Sequence, residues 1–320
     1  MEGSISPAAA GLRVAWQDVP DRIRAVVEQW LGSPVDSATD QPAGFSPGAA
    51  CRLRTTDGRR VFAKAAGPEP NALTPEAHRR EAAVVAALPE GTPSPRLLWS
   101  HDEGGWVVLL FEDVEGRNPA VPWREEELKR TLDALADLAD LLTPSPLPPS
   151  GVVGPAGDWE VLGGRYWRRL AEERPADGLD GWSQRNLAVL ADLEAQASTA
   201  AAGDTLLHLD LRADNLLLTE EGVLVVDWPH ARVGAPWVDA AFFAPSVAMQ
   251  GGPQPEELMK RLPQARRADP DALTAVVAAV AGFFTGEGLR PAPPGLPTLR
   301  AFQAAQGEAA RAWLAYRLGR

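Results

Sequence analysis

The chain has 320 residues, of which 45% are hydrophobic and 23% charged, a balance typical of a globular protein with a sizeable core rather than of a disordered one. Its formal net charge of −12 argues against a nucleic-acid partner, because such a protein needs a basic face. The single cysteine, Cys51, excludes an internal disulfide, and no signal-peptide pattern or long apolar run is present, so we expect a cytoplasmic protein without a membrane partner, either a monomer or a homodimer.

The first predicted elements are a helix and a group of strands. Residues 20–31 carry apolar side chains at helical spacing and predict a helix that ends at Gly32. Strand-like pieces follow between residues 42 and 66, and the first of them holds the glycine-rich segment 44–48. The pair Asp57-Gly58 is a strong signal for a hairpin turn, and a strand at 60–65 follows it.

Further along, helices replace strands. Thr74 and Pro75 favour a helix start with Thr74 as the N-cap, and this helix is expected to run to about Leu88. A strand pair is expected next, at residues 96–100 and 106–111. Three longer helices are expected at residues 123–143, 181–199 and 297–318, with proline-rich surface loops at residues 144–155 and 291–297. Early strands with one helix, followed by a helical majority, predict an α+β protein with two unequal lobes.

The most informative stretch is a second, shorter hairpin. Its two apolar runs, residues 216–218 and 223–226, flank a tight turn. Asp210 and Asn215 precede the first run, and Asp227 follows the second. Because an antiparallel pair brings these ends together, Asn215 and Asp227 are expected to be neighbours in space.

Two oxygen ligands with a further carboxylate nearby are what phosphoryl transfer from a nucleotide requires. Magnesium takes few protein ligands, all of them oxygens, and keeps phosphates as its other ligands, which predicts Asn215 and Asp227 as its protein ligands. The remaining carboxylate, Asp210, can orient a hydroxyl and accept its proton. The alternative is that these side chains only cap a hairpin, and the ordered set of three argues against it.

In order, the pattern is His-x-Asp-x-x-x-x-Asn from His208 to Asn215, then two strands and an Asp. This pattern resembles the catalytic and metal-binding loops of the protein-kinase-like superfamily. The continuation of the chain, residues 225–239, is similar to the aminoglycoside phosphotransferase branch of that superfamily. The resemblance extends from Gly44 to the C-terminal helix.

The resemblance implies a protein-kinase-like bilobal fold. Residues 1–113 would form an N-terminal nucleotide-binding lobe with an antiparallel sheet and a helix, and residues 114–320 a larger, mostly helical lobe for catalysis and substrate binding. A glycine-rich hairpin should cover the phosphates, and segment 44–50, with Ser46 and Gly48, stands in the right place. Small residues allow the backbone to approach phosphate closely, although the proline of this segment has no N–H to donate.

A strand lysine that binds the nucleotide should follow, and Lys64 does. It is one of three lysines among 31 basic residues, and its strand has no freely polar face, which argues against a merely solvated side chain. The lysine needs a helix glutamate, for which Glu76 and Glu81 are the candidates. Glu76 lies in the first helical turn, where a carboxylate already serves the helix dipole. Glu81 shares a face with apolar residues, where an acid needs a charged partner, so Glu81 is preferred.

The resemblance implies roles for residues beside the nucleotide and the catalytic aspartate. Glu112 and Val114 match the hinge where adenine meets backbone amides in this superfamily. Arg212, two residues after Asp210, occupies the position of a phosphate-contacting lysine in protein kinases. The alternative for Arg212 is an ordinary surface arginine.

His208 and Asp239 receive structural roles from the same resemblance. His208 is expected to organise the catalytic loop rather than to act as a base, and Asp239 to support that loop. The chain also departs from its relatives. Leu209 replaces the glycine common at this position in the branch, and Trp228-Pro229 replaces the Phe-Gly of protein kinases, which argues against a regulated flip of this segment.

Together these residues imply an O-phosphotransferase that uses ATP or GTP with Mg²⁺ and acts on a hydroxyl group of a small molecule. A nucleotide-binding pseudokinase scaffold is the alternative from another class of protein, and the complete set of catalytic residues argues against it. A protein kinase is disfavoured because only 11 residues separate Asp227 from Asp239, without an Ala-Pro-Glu anchor.

The acceptor is the least determined part of the prediction. We expect an antibiotic, aminoglycoside-like or another natural product, so that the enzyme confers resistance; the alternative is a choline, homoserine or sugar kinase. Acids that could attract a cationic acceptor, although each could equally be a surface charge, are Asp158, Glu160, Glu172, Glu173, Asp177 and Asp180. Tryptophans that could stack on an acceptor, although core burial is the commoner use, are Trp159, Trp167, Trp182 and Trp237.

Overall fold

The structure is a computed structural model that describes residue 7 and residues 9–41, 44–148, 152–172 and 178–319. Its first part contains α1 (Asp21–Leu31), β1 (Val35–Asp40), β2 (Ala49–Thr55), β3 (Arg60–Ala66), α2 (Leu73–Val85), β4 (Leu97–Glu103) and β5 (Trp106–Glu112). Its second part contains α3 (Glu125–Leu141), α4 (Glu160–Gly163), α5 (Tyr166–Glu172), α6 (Gly181–Glu194), α7 (Ala197–Ala200), β6 (Thr205–Leu207), β7 (Leu216–Leu218), β8 (Val223–Val225), β9 (Arg232–Gly234), α8 (Val238–Met249), α9 (Pro255–Arg261), α10 (Pro263–Arg266), α11 (Pro270–Gly288) and α12 (Leu299–Arg317).

The first part is built around one antiparallel sheet of five strands in the order β1-β2-β3-β5-β4. The predicted turn at Asp57-Gly58 joins β2 to β3, and Gly58 has a φ of 90°, a left-handed conformation that glycine adopts without strain. In the register of the sheet, Lys64 lies opposite Ala50 of β2 and Leu109 of β5. The predicted α+β fold, with a small sheet lobe before a larger helical lobe, is confirmed.

Alternation along β3 gives the sheet two different faces. Ala63 is fully buried in a cluster that includes Ile23 and Val27 of α1. Phe62 and Lys64 point the opposite way, where Lys64 meets α2. Because α1 covers one face, the other face is left to α2 and to the second lobe.

The first strand lies earlier than the sequence predicts. β1 covers Val35–Asp40, whereas the predicted first piece, residues 44–48, is a loop joined to the N-terminal residues by isolated bridges at Gly44 and Gly48. β1 is an edge strand whose side chains are mostly exposed. It therefore lacks the apolar alternation by which a strand is recognised in a sequence.

Helix α2 also differs in its ends from the prediction. It begins at Leu73 rather than after an N-cap at Thr74. Asn71 starts the turn instead, because its side-chain oxygen accepts a hydrogen bond from the Leu73 N–H at 3.0 Å and its C=O accepts one from the Thr74 N–H at 3.1 Å. The helix ends at Val85 and does not reach Leu88.

The larger lobe is organised around α11, which packs against α5, α6, α7, α8 and α12. The sequence does not predict α8 or α11, because most residues of both helices are buried on every side and leave no apolar stripe at helical spacing. The helix predicted at 181–199 is divided into α6 and α7, while those at 123–143 and 297–318 are confirmed as α3 and α12. Among the residues described, no helix has the length and apolar character needed to cross a bilayer.

Two leucines of α3 provide a matched test of this packing. Leu128 is fully buried, whereas Leu141 on the same helix is 43% exposed. Leu128→Ala is expected to lower the free energy of unfolding by about 2–5 kcal/mol, because it removes buried methyl groups and leaves a cavity. Leu141→Ala is expected to change it by less than about 0.5 kcal/mol. Urea unfolding followed by circular dichroism measures both, and equal losses would contradict the packing of α3.

Candidate active site

The short hairpin of β7 and β8 gathers the polar residues that follow its strands. Leu216 pairs with Val225, and one step further the Asn215 C=O accepts a hydrogen bond from the Val226 N–H at 3.0 Å. Asn215 and Asp227 therefore lie at the same end of the hairpin, as the antiparallel pairing requires. Both line a cavity between the sheet and the larger lobe.

Asp227 has an unusual backbone conformation. Its φ of 72° is left-handed, as is the φ of 61° at Leu209, and residues other than glycine rarely adopt such values. Positions of this kind persist only where their surroundings hold them, and they cluster at functional sites. At Asp227 one restraint is a hydrogen bond to its Oδ1 from Lys64 Nζ at 3.1 Å.

Lys64 is also paired with a glutamate of α2. Its Nζ donates to the two carboxylate oxygens of Glu81 at 2.6 and 2.9 Å. The other candidate, Glu76, lies 57% exposed in the first turn of α2 and pairs with Arg79 at 3.5 Å. A carboxylate on the inner face of α2 thus reaches the lysine, and one on the outer face does not.

The three charges depend on one another. Burial by itself would lower the pKa of Lys64, but the attraction of Asp227 and Glu81 outweighs burial and raises it. Burial would likewise raise the pKa of Asp227, but Lys64 outweighs it and holds that pKa below its ordinary value. At neutral pH, Lys64 is therefore an ammonium ion and Asp227 a carboxylate.

The loop before β7 holds Asp210 in a network of its neighbours. Asn215 Nδ2 donates to the main-chain oxygen of Asp210 at 2.8 Å and to its Oδ2 at 3.1 Å. The guanidinium of Arg212 forms a close ion pair with Asp210 and another with Asp214 at 3.0 Å. Burial nevertheless raises the pKa of Asp210 to about 7, against the attraction of Arg212. A carboxylate with this pKa can exchange a proton near neutral pH.

Arg212 is a buried residue and not a surface arginine. Its guanidinium carbon lies 5.3 Å from the ring centroid of Phe45 and 5.8 Å from that of Phe302. The two rings meet edge to face, with centroids 5.2 Å apart. Arg212 thus connects the loop of Asp210 to the loop before β2 and to α12.

His208 and Asp239 hold the backbone of the loop that carries Asp210 through hydrogen bonds. The backbone N–H groups of His208 and Leu209 donate to the two carboxylate oxygens of Asp239 at 2.9 and 2.7 Å. Nδ1 of His208 accepts from the Asp210 N–H at 3.1 Å, so its Nε2 carries the proton and donates to the Val226 C=O at 3.0 Å. Burial lowers the pKa of His208 to about 4, which keeps the ring neutral.

The cavity between the lobes has a volume of about 290 Å³. The predicted site residues that line it are Ser46, Lys64, Glu81, Glu112, Val114, Asn215 and Asp227. Gly48, Asp210 and Arg212 are not part of this lining. The N–H of Gly48 instead donates to the C=O of Leu12 at 3.2 Å.

The segment after β5 is fixed on both sides. The N–H of Glu112 donates to the C=O of Arg96 at 3.1 Å. The C=O of Val114 accepts a hydrogen bond from Arg52 Nη2 at 2.9 Å. The polypeptide that borders the cavity here is therefore held in place by its neighbours in the sheet.

The chemistry of Asn215 and Asp227 fits a magnesium ion. Because Asn215 Nδ2 is bonded to Asp210, the amide oxygen of Asn215 is the atom available to a cation. Asp227 contacts Lys64 through Oδ1, and its Oδ2 is a second hard oxygen donor. No group of three or more His, Cys, Asp or Glu side chains in the described ranges is arranged to hold a metal. A magnesium ion here would thus complete its shell with phosphate oxygens and water.

Three residues of the site were not predicted from the sequence. Arg13 lines the cavity although it precedes α1, where no motif draws attention to it. Asn118 Nδ2 donates to the C=O of Leu216 at 2.8 Å and fixes the first strand of the hairpin. Asp214, the partner of Arg212, could have been recognised, because it is an acid inside the motif itself.

The acids considered for a cationic acceptor have other partners or positions. Asp180 caps α6 and pairs with Arg311 at 2.9 Å, and Glu160 accepts a hydrogen bond from the Tyr166 hydroxyl at 3.0 Å. Of these candidate acids the structure describes Asp158, Glu160, Glu172 and Asp180, and none of the four lines the cavity. Two others lie outside the described residues, Glu173 and Asp177.

The four tryptophans considered for stacking on an acceptor differ in burial. Trp167 is fully buried, and its Nε1 donates to the Ala278 C=O at 2.8 Å; Trp237 is also buried. Trp159 and Trp182 are half-buried. Both of these pack against the same hydrophobic core, so the commoner use of tryptophan applies to all four at least in part.

Comparison with solved structures identifies the fold. A thermostable variant of aminoglycoside phosphotransferase APH(4)-Ia, in a ternary complex with ADP and hygromycin B, is 15% identical, with a TM-score of 0.60 over 91% of this chain and 97% of that one. An aminoglycoside phosphotransferase from Alicyclobacillus acidocaldarius is 18% identical, with a TM-score of 0.56 over 89% and 92%. A choline/ethanolamine kinase family protein from Mesorhizobium loti is 18% identical, with a TM-score of 0.58 over 92% and 94%. The protein has the bilobal, protein-kinase-like fold of these enzymes, as predicted.

The family follows from the sequence itself. The sequence model of the phosphotransferase enzyme family, APH, matches residues 42–276. This is more than half of the chain, and the protein belongs to that family, as the catalytic motif predicts. No curated protein matches the chain in sequence.

The support that Asp239 gives to the loop is testable. Asp239→Asn keeps the size of the side chain but offers one acceptor oxygen to two N–H donors, so one buried donor loses its partner. We expect a loss of about 1–3 kcal/mol in the free energy of unfolding, measured in urea. Asp137→Asn, at an exposed position of α3, is the matched control and should leave stability unchanged. Identical unfolding curves for the two variants would contradict the role of Asp239.

Proposed function

We propose that the protein transfers the γ-phosphoryl group of ATP or GTP to a hydroxyl group of a small molecule. The observation that carries this proposal is the cavity in which Lys64, Asn215 and Asp227 meet, with Asp210 bonded to Asn215 at its edge. Membership of the phosphotransferase family supports it. A pseudokinase scaffold would bind the nucleotide without turning it over, and the complete set of charged residues at the cavity speaks against that alternative.

In this proposal the two lobes have different functions. Residues 1–113 bind the nucleotide, and residues 114–320 carry the catalytic residues and the acceptor site. The boundary between them is supported by the end of the sheet at Glu112, after which the chain continues without regular structure to α3.

The nucleotide would lie in the cavity with its phosphates toward Lys64. The ammonium group of Lys64 contacts the phosphates, and Glu81 holds it in position. The base meets the main chain of Glu112 and Val114 and lies between apolar side chains that line the cavity, among them Phe62, Val85, Phe111 and Leu217. Ser46 and Gly48 belong to the loop over the phosphates, and the φ of 129° at Gly48 gives that loop its bend.

Asn215 and Asp227 would hold the magnesium ion. When bound, the ion neutralises negative charge on the phosphates and so supports transfer. The left-handed conformation of Asp227 and its bond to Lys64 fix the direction of this carboxylate relative to the phosphate-binding lysine. Asp227 and the phosphate-binding lysine are thereby positioned by one interaction, while Asn215 is held by Asp210.

Asp210 would act on the acceptor. Its carboxylate accepts the proton of the acceptor hydroxyl as the acceptor oxygen forms a bond to the γ-phosphorus. The bond from that phosphorus to the oxygen bridging the β- and γ-phosphates breaks, and a nucleoside diphosphate leaves. The pKa of about 7 suits Asp210 to this role, and Arg212 beside it offers positive charge to the transferred phosphoryl group.

For the acceptor we propose an antibiotic that bears amines or sugar rings, with resistance as the biological result. A metabolite kinase of the choline, homoserine or sugar type is the second candidate. The choline/ethanolamine kinase family protein with the same fold supports this second candidate. Asp158, Glu160, Glu172 and Asp180 do not line the cavity and favour neither candidate, since choline is a cation as well. The half-buried Trp159 and Trp182 would suit either class of acceptor.

The experiment that tests the proposal measures nucleotide consumption by the purified protein with Mg²⁺. A panel of aminoglycosides, macrolides, nucleoside and peptide antibiotics, choline, homoserine and free sugars is offered as acceptors. Acceptor-dependent formation of ADP or GDP and a phosphorylated product supports the kinase, and tight nucleotide binding without turnover on any acceptor supports the scaffold. Expression in a sensitive bacterium then separates the acceptor classes, because a metabolite kinase leaves antibiotic tolerance unchanged.

Replacing the proposed base should abolish most turnover without unfolding the protein. Asp210→Asn retains the hydrogen bond from Asn215 but cannot accept the proton, so kcat is expected to fall about 10²–10⁴-fold. Nucleotide affinity, measured by calorimetry, should remain within a few-fold of the wild type. Asp137→Asn is the control for the loss of one carboxylate. A variant that retained more than a third of the wild-type rate would rule out Asp210 as the base.

The pH profile provides a second measurement of the same role. Burial raises the pKa of Asp210 to about 7, and the carboxylate form is the active one. The value of kcat/KM, which reports the free enzyme, should therefore be highest above about pH 7 and fall as the pH drops through that value. A profile that stays flat from about pH 6 to pH 8 would contradict the assignment.

The metal ligand and the lysine should affect nucleotide binding differently. In the wild type Mg²⁺ is expected to strengthen ATP binding, and in Asp227→Ala this strengthening should disappear together with turnover. Lys64→Ala should weaken ATP binding whether or not Mg²⁺ is present, and Lys64→Arg should not restore turnover fully, because a planar guanidinium cannot replace a compact ammonium group. Calorimetry with Mg²⁺ and with EDTA measures both effects. An unchanged magnesium effect in Asp227→Ala would overturn the ligand assignment.

A further inference from the structure

A short segment before α1, residues 9–14, lies against the loop that covers the cavity. The N–H of Gly44 donates to the C=O of Ala9 at 3.1 Å, and the N–H of Gly48 donates to the C=O of Leu12 at 3.2 Å. The segment lies outside residues 42–276, the part of the chain that matches the phosphotransferase family.

The same segment is also bonded to the larger lobe. The N–H of Leu12 donates to the C=O of Gly295 at 2.8 Å. The hydroxyl of Thr298 donates to the C=O of Ala10 at 2.9 Å, and the N–H of Ala10 lies 3.3 Å from that hydroxyl oxygen. The segment therefore has a fixed position relative to the sheet lobe on one side and to the start of α12 on the other.

This position directs one side chain, Arg13, into the cavity. Arg13 lines the cavity together with Lys64, Asn215 and Asp227. Its Nη1 donates to the C=O of Ser46 at 2.5 Å. A Cβ at Gly44 would lie 3.0 Å from Nη2 of Arg13, so the glycine leaves room for the guanidinium.

The charges around Arg13 agree with a site for phosphate beside the metal ligands. Burial lowers the pKa of Arg13, and the carboxylates of Asp227 and Asp214 act against burial. The guanidinium therefore lies within electrostatic range of the residue that would hold magnesium. A guanidinium presents its N–H donors in a planar fork that matches two phosphate oxygens.

The backbone hydrogen bonds of loop 44–48 explain why an arginine would be needed to bind phosphate here. Phosphate-covering loops bind through their backbone N–H groups. In segment 44–48 the N–H groups of Gly44 and Gly48 are bonded to the N-terminal segment, and Pro47 has none. The N-terminal segment that bonds these two N–H groups also carries Arg13, whose guanidinium lines the cavity next to the loop.

We propose that Arg13 is a catalytic residue whose guanidinium binds the β- and γ-phosphates of the nucleotide. It would take the place of the backbone N–H groups of Gly44 and Gly48, which are bonded to the N-terminal segment. The inference rests on the proposed function, since it requires a nucleotide in the cavity. Arg13, Lys64 and the metal ligands Asn215 and Asp227 then surround the phosphates. During transfer, the guanidinium stabilises the negative charge on the phosphoryl oxygens.

The test compares a nucleotide with its nucleoside in the full-length protein. Calorimetry measures the affinity for MgATP and for adenosine, or for MgGTP and guanosine if GTP is the donor. Arg13→Gln is expected to weaken binding of the nucleoside triphosphate about 10- to 100-fold, as for the loss of a charged hydrogen-bond pair, and to leave nucleoside affinity unchanged. Arg13→Lys, which keeps the charge but loses the fork, should fall between the wild type and Arg13→Gln.

Arg54→Gln is the matched control, because Arg54 is an exposed arginine of β2, and it should bind both ligands as the wild type does. If Arg13→Gln weakens nucleoside and nucleotide equally, or weakens neither, Arg13 does not bind phosphate and the inference is overturned. If the wild type binds no purine nucleotide at all, the proposed function itself fails. If Arg13→Gln does not fold, Arg13→Lys decides, since full triphosphate affinity and turnover in that variant would exclude a role for the planar fork.

Discussion

A buried ammonium group needs carboxylates around it, and the two carboxylates that contact Lys64 come from two different parts of the chain. Glu81 comes from α2 beside the sheet, and Asp227 comes from the hairpin of the larger lobe. Removing either acid would leave a buried positive charge with one partner fewer, which is costly in a low-dielectric interior. The positions of α2, β3 and the β7–β8 hairpin are therefore linked through a single side chain, and the cavity between the lobes takes its shape from that link.

The loop that carries Asp210 depends on the same hairpin through a separate set of contacts. His208 bonds to Val226, the residue before Asp227, while Asp239 holds the backbone at the left-handed Leu209. A change at Val226 or Asp227 would thus alter the positions of both Lys64 and Asp210. This arrangement explains why buried polar groups are concentrated here, since each has a hydrogen-bond partner that also positions a neighbour.

Much of this could be predicted from local patterns, and the failures have physical causes. The turn at Asp57-Gly58 and the two apolar runs that flank the turn of the second hairpin are short-range signals. Both hairpins are present in the structure. The preference for Glu81 over Glu76 depends on the face of α2 that each occupies, and the ion pair of Glu81 with Lys64 agrees with it. The roles of the site residues remain predictions. Strand β1 cannot be predicted from the sequence because an exposed edge strand has no apolar alternation. Helix α11 cannot be predicted because a helix buried on every side has no apolar stripe. Only the tertiary fold brings Arg13 to the cavity, so no local pattern points to it.

The N-terminal segment also sets a condition on the opening of the cleft. It is hydrogen-bonded to loop 44–48 and, through Leu12 and Ala10, to residues 295 and 298. The lobes cannot separate at this edge unless one of these sets of bonds breaks, whereas entry and exit of ligands in many kinases require such motion. The rate of product release would then depend on residues 9–14, which lie outside the stretch that the family model matches. Substitutions in that segment at positions other than Arg13 could change turnover during evolution without altering any residue that takes part in the transfer.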